Sequence, residues 1–155
     1  MSSTVVLCTD GSDTALAAIR TGLRQLAPPD RIIVVTVLEP LDETLVTGVS
    51  GFGAGSMSPA QYDELDQRRR AEADQLLAAT VDAVGLEGAE RRLLDGPAGP
   101  AICDVAESVH ADVIVMGSRG RGGLRRAVLG SVSDHVIRNA SCSVLVTSTH
   151  AEHPE

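Results

Sequence analysis

Short apolar runs alternate along the chain with longer stretches in which apolar residues recur every three or four positions. Five runs rich in Val, Ile and Leu predict strands: Thr4–Thr9 (TVVLCT), Arg31–Leu38 (RIIVVTVL), Glu90–Leu94 (ERRLL), Asp112–Met116 (DVIVM) and Ser143–Thr147 (SVLVT). Four lack clean alternation, as strands covered on both faces do, whereas the third is more polar and belongs at a sheet edge. Four segments between them read as helices. The first opens near Ser12 or Asp13 and runs to about Ala27, with Ala15, Ile19, Gly22, Leu23 and Leu26 on one face, until Pro28-Pro29 stops it. The second opens at Ser58-Pro59 and ends at Gly85, the third spans Pro100 to about His110, and the fourth covers roughly Ser131 to Ala140. The mixed-sign stretch DELDQRRRAEAD, Asp63–Asp74, reads as a solvated helix face.

Strand and helix in strict alternation imply βαβ units and a parallel sheet, an α/β fold in one domain over residues 1–148 with a flexible tail at 149–155. If strands one to three wind one way and strands four and five the other, the sheet is open and five-stranded, order 3-2-1-4-5, with helices on both faces, a Rossmann-like arrangement. Ligands in such sheets bind where the winding reverses, beyond the carboxyl ends of the strands. That selects Thr9-Asp10-Gly11-Ser12 after strand one and Gly117 onward after strand four. The glycine-rich loop 39–57 is long enough to be either a mobile connection or a cover for a ligand.

Composition narrows what such a site can hold. The chain has 155 residues, 13 basic residues that are all arginine, 21 acids and a net charge of −8. An acidic surface disfavours nucleic acid and anionic membranes, and the absence of lysine excludes a lysine-dependent P-loop and Schiff-base chemistry. No apolar run approaches the ~20 residues of a membrane span, and Met1-Ser-Ser leads directly into a strand. Three cysteines, Cys8, Cys103 and Cys142, without CxxC spacing fit a reduced, cytoplasmic protein in which Cys8 and Cys103 are small core residues. His110 and His135 have no partner suggesting catalysis and read as surface or cap residues.

Charge is distributed unevenly. From Gly117 to Arg138 there are five arginines against one acid, a local +4 within a chain of −8. The same stretch carries Gly117, Gly120, Gly122, Gly123 and Gly130 and opens a helix at Ser131. Glycines let backbone approach an anion, and the first amides of a helix point outward at its positive dipole end, so Gly130-Ser131-Val132-Ser133 suits a phosphate, with both serine hydroxyls as further donors. Taken alone, the segment reads equally as a glycine-rich connection with Ser131 as an ordinary N-cap, and Asp10 as a turn aspartate.

Gly117, Gly120, nine residues and then Gly130-Ser131 match G-2x-G-9x-G-(S/T), and with TDGSDTA at Thr9–Ala15 the chain resembles the ATP-binding branch of the universal stress protein family. The resemblance covers nearly the whole domain and implies an adenine nucleotide alpha hydrolase-like fold. It implies that Thr9 and Asp10 lie at the ribose or base and that Val37 offers backbone contact to adenine. Met116 and Gly117 would line the ribose and α-phosphate, with Arg119 and Gly120 in the phosphate loop. Gly130, Ser131, Val132 and Ser133 would form the polyphosphate cradle. Phosphate binding by Arg119 would be this chain's own variation. The implied ligand is ATP, with Mg²⁺ held largely by phosphates and water. A homodimer through strand 143–147 is implied as well, and an apolar edge strand invites such pairing.

No general base, fixed metal ligand or activated nucleophile stands out, so the expected role is a nucleotide-binding sensor or regulator in stress response. At most it would hydrolyse ATP slowly or autophosphorylate on Ser131 or Ser133. The alternatives are an AMP or cyclic-AMP module and a ligand-free dimeric interaction protein.

Overall fold

The computed structural model describes residues 2–41, 57–118 and 129–148. Five strands, β1 (Thr4–Cys8), β2 (Arg31–Leu38), β3 (Glu90–Asp95), β4 (Val113–Gly117) and β5 (Ser143–Thr147), form one sheet in the order β3-β2-β1-β4-β5. Every neighbouring pair is parallel. The helices are α1 (Asp13–Gln25), α2 (Pro59–Val84), α3 (Ala98–Ser108) and α4 (Ser131–Asn139). This is the single-domain α/β fold expected, with the winding reversed between β1 and β4 and the polar β3 at an edge. Among the described residues no helix is long and apolar enough to cross a membrane.

Apolar runs without alternation become two cores because successive strand residues face opposite sides. Val6, Ile33, Val35, Ile114 and Met116 meet Ile102, Val105 and Ala106 of α3 and Val136 of α4 on one face. Val5, Leu7, Val34 and Val115 meet Ile19 of α1 and Leu77 and Val81 of α2 on the other. Each Val, Ile, Leu or Met among them, fully buried, contributes ~1.5–3 kcal/mol. Cys8, Cys103 and Cys142 pack against the α3/α4 core as free thiols. Close approach sets two helices. A Cβ on Gly22 of α1 would lie 2.3 Å from Val115 Cγ1, and one on Gly99 of α3 would lie 2.6 Å from His135 Cδ2 of α4.

Element ends differ from the pattern-based ranges for local reasons. Extended Leu26 caps α1, which stops at Gln25, before the backbone restriction imposed by Pro28-Pro29. α3 starts at Ala98 rather than Pro100, with Pro97 as its N-cap. Gly96, at φ 115°, makes the turn, and Pro100 fits inside the first helical turn, where an N–H has no intrahelical acceptor. α2 keeps its expected start: Ser58 and Gln61 form a reciprocal capping box, and left-handed Gly85 closes the helix.

Candidate functional site

The carboxyl ends of β2, β1 and β4 lie side by side. Cys8 pairs with Val35 and Thr9 N still donates to Val35 O, so continuing the register brings Asp10 level with Val37, while on the other side pairing with β4 ends at Leu7 and Val115. Parallel strands stand ~4.8 Å apart, so Asp10 and Val37 are neighbours on the edge where the winding reverses, with the end of β4 on the other side of β1. Thr9, Asp10, Val37, Met116, Gly117, Gly130, Ser131, Val132 and Ser133 all belong to this edge or to the helix beginning on it. Arg119 and Gly120 lie outside the described residues, as do Arg121, Arg125, Arg126, most of loop 39–57 and the tail from 149.

The turn after β1 is held from within. Thr9, 7% exposed, donates its amide to Val35 O at 3.0 Å, and its hydroxyl accepts from Gly11 N at 3.0 Å. The same hydroxyl lies 3.4 Å from Thr80 Oγ1 of α2. Gly11 takes φ +77°, and a Cβ there would come within 2.6 Å of Leu76 Cδ1. Asp10 Oδ1 accepts from Ser12 N at 3.0 Å and Ser12 Oγ at 2.5 Å, while Ser12 Oγ accepts from Ala15 N at 3.1 Å as the α1 N-cap. The other carboxylate oxygen, Asp10 Oδ2, is buried and has no hydrogen bond.

The start of α4 is built differently. Its N-cap is Gly130, not Ser131, and no side chain caps it. The carbonyl of Gly130 accepts the first helical bond from Asp134 N at 2.9 Å, so Ser131, Val132 and Ser133 occupy the first turn, whose amides have no intrahelical acceptor. Gly130 N donates to Ser118 O at 2.8 Å, and Ser118 N to Thr147 O at 3.0 Å, tying this turn to β4 and β5. Ser133, 2% exposed, turns its hydroxyl inward to Ser118 O at 3.2 Å and Gly130 O at 2.9 Å, whereas Ser131 is exposed. Asp134, the acid in this turn, pairs with Arg138 at 3.0 Å.

Cys8, at the end of β1, is not a reactive nucleophile. Burial pushes the Cys8 thiol up to about 12, with Cys103 and Cys142 adding to the shift, so it stays protonated beside the site. His135 packs against Gly99 between α3 and α4. Sequence pattern does not single out Thr80 and Arg69 of α2. Their signal is the helical spacing of Arg69, Ala73, Leu77 and Thr80 on one face, hidden within a charged segment.

The family model described as the universal stress protein family matches residues 1–148. A universal stress protein of Thermus aquaticus is 31% identical over 147 residues, covering 94% of this chain and 98% of the relative. A solved universal stress protein in complex with cAMP is 26% identical, with TM-score 0.63 over 96% of this chain and 98% of the other. The solved structure of hypothetical protein MJ0577 shares the fold, with TM-score 0.73 at 24% identity over 98% of this chain and 99% of that one.

Proposed function

The chain belongs to the universal stress protein family, and from that premise we propose that it binds an adenine nucleotide, ATP before AMP or cyclic AMP, as a regulator in stress response. The observation that carries this reading is Asp10 Oδ2, a buried acceptor without a donor, beside an uncapped helix start. A buried carboxylate oxygen left unpaired is costly, and a sugar hydroxyl supplies the missing donor. With Thr9 holding the turn, Asp10 takes the ribose, Val37 the base, and Met116 and Gly117 the floor between sugar and α-phosphate. Gly130, Ser131, Val132 and Ser133 take the phosphates through their backbone, joined by Arg119 and Gly120. Ser133 contributes its amide, since its hydroxyl serves Ser118 and Gly130. Ser131 is the more accessible hydroxyl for any slow phosphoryl transfer.

Among the described residues no group of three His, Cys, Asp or Glu side chains is placed to hold a metal. Mg²⁺ therefore would arrive on the phosphates and keep water as its other ligands. Isothermal calorimetry with ATP and with cyclic AMP tests the reading: saturable ATP heat at one site per chain is expected. Cyclic-AMP binding without ATP heat would favour the second reading, which the cAMP-bound relative supports. We also propose a homodimer through edge strand β5, whose Val144, Leu145 and Val146 are only partly buried; light scattering should then give twice the chain mass.

A further inference from the structure

Asp10 Oδ2 has one counterpart among the described residues: Arg69 Nη1 is also a buried side-chain atom without a hydrogen bond. Arg69 lies one turn before Ala73 on the face of α2 that carries Ala73, Leu77 and Thr80. Because Thr80 meets Thr9 and Leu76 meets Gly11, α2 runs with its N-terminal half toward the carboxyl edge of the sheet. Arg69 therefore reaches that edge, where its Nη2 donates to Glu39 O at 2.7 Å, just past the end of β2. The next residue fixes the helix there. Arg70 grips Asp95 at 2.6 and 3.3 Å and Asp66 at 2.9 Å, and Asp95 pairs in register with Leu38. The two arginines thus reach the ends of β2 and β3, Arg69 at Glu39 and Arg70 at Asp95.

The guanidinium is always charged and has only donors, so a buried, unpaired N–H calls for an acceptor. We propose that Arg69 reads the base end of the ligand, its Nη1 donating to an acceptor atom of the nucleobase. This rests on the nucleotide-binding reading above and extends it to a residue of α2. The sheet order supplies the direction. β2 and β4 flank β1 on opposite sides, so a nucleotide with phosphates at α4 and sugar at Asp10 carries its base toward β2. Glu39 lies two residues beyond Val37, the residue level with Asp10, a rise of ~7 Å that a nucleoside spans. Adenine offers ring nitrogens as acceptors; an exocyclic amine cannot accept from a guanidinium.

The test compares wild type, Arg69→Met and Arg69→Lys by calorimetry with ATP and AMP, together with melting of the unliganded proteins. Arg69→Lys keeps a charged donor nitrogen for Glu39 O but has no second nitrogen to reach the base, so it should melt as wild type does. Both variants should weaken ATP and AMP by the same factor, about tenfold, because the base is common to both. Unchanged affinity in variants that melt normally would overturn the proposal, and so would a loss confined to ATP, which would place Arg69 at the phosphates. Wild type binding neither nucleotide would instead remove the nucleotide-binding reading, and this assignment with it.

Discussion

Two helices begin on the same edge of the sheet, after neighbouring strands, with a serine near the start of each, yet their N-termini are chemically opposite. At α1 the serine is the N-cap. Ser12 Oγ accepts from Ala15 N, Thr9 Oγ1 from Gly11 N, and Asp10 Oδ1 from Ser12 N, so protein oxygens already occupy three amides of the turn and helix start. At α4 the serine has moved one place inward, Gly130 holds the cap position, and no side chain replaces the missing oxygen. A capped terminus has fewer free amides for an anion, and here a carboxylate beside them, whereas an uncapped one presents its first-turn amides and a positive dipole end. The difference divides the proposed ligand: sugar at the capped turn, where a carboxylate waits for donors, and phosphates at the bare one.

The largest expected effect comes from erasing the contrast. Gly130 has φ −64° and ψ 157°, a conformation open to any residue, so Gly130→Asp can place a capping carboxylate on α4 without backbone strain. It would make α4 resemble α1. Nucleotide affinity should fall at least a hundredfold in calorimetry, through lost amide donors and repulsion of phosphate. Stability of the unliganded protein should hold or rise by a few tenths of a kcal/mol, since Asp caps slightly better than Gly. Retained affinity would show that the phosphates lie elsewhere.

An intermediate effect is expected at the other turn. Asp10→Asn keeps an acceptor for Ser12 but can present an amide where Oδ2 now faces the site. A hydrogen bond to a charged group contributes roughly 1.5–3 kcal/mol, so ATP should bind roughly 10- to 100-fold more weakly. The unliganded melting temperature should stay level or rise, because the variant removes a buried charge with one unpaired oxygen. A lower melting temperature with unchanged affinity would recast Asp10 as a turn residue.

What the sequence disclosed of these two turns follows the range of the interactions involved. The Ser12 and Ser58 caps act over three residues, and local pattern places the helix starts at Ser12 or Asp13 and at Ser58-Pro59, while the reciprocal bond from Gln61 emerges only in the structure. The sheet order was legible because alternating strands and helices with right-handed crossovers leave few topologies. Thr9 meets Thr80 across 71 residues, and nothing near either residue announces the pair. Arg69 sits among three consecutive arginines, and only packing against β2 shows which of them faces the sheet. The inward turn of the Ser133 hydroxyl depends on Ser118, fifteen residues earlier, so a serine that reads as a phosphate donor also serves as a clamp. α3 starts two residues before the pattern-based Pro100 because Gly96-Pro97, which resembles a turn that ends structure, here launches a helix.

The smallest effect sharpens the comparison most directly, because it treats the two serines identically. Ser12→Ala removes the oxygen that caps α1 and one partner of Asp10, and should cost ~1 kcal/mol in denaturant unfolding. In a chain of this size that lowers the melting temperature by about 2–4 °C. Ser131→Ala removes an exposed hydroxyl at a helical position where Gly130 is already the cap, so unliganded stability should change by less than about 0.5 kcal/mol. Its affinity for nucleotide should fall only modestly, because the Ser131 amide survives the substitution. Equal stability losses in the two variants would mean that Ser131 caps α4 in solution, and the bare terminus on which phosphate binding depends would no longer be available.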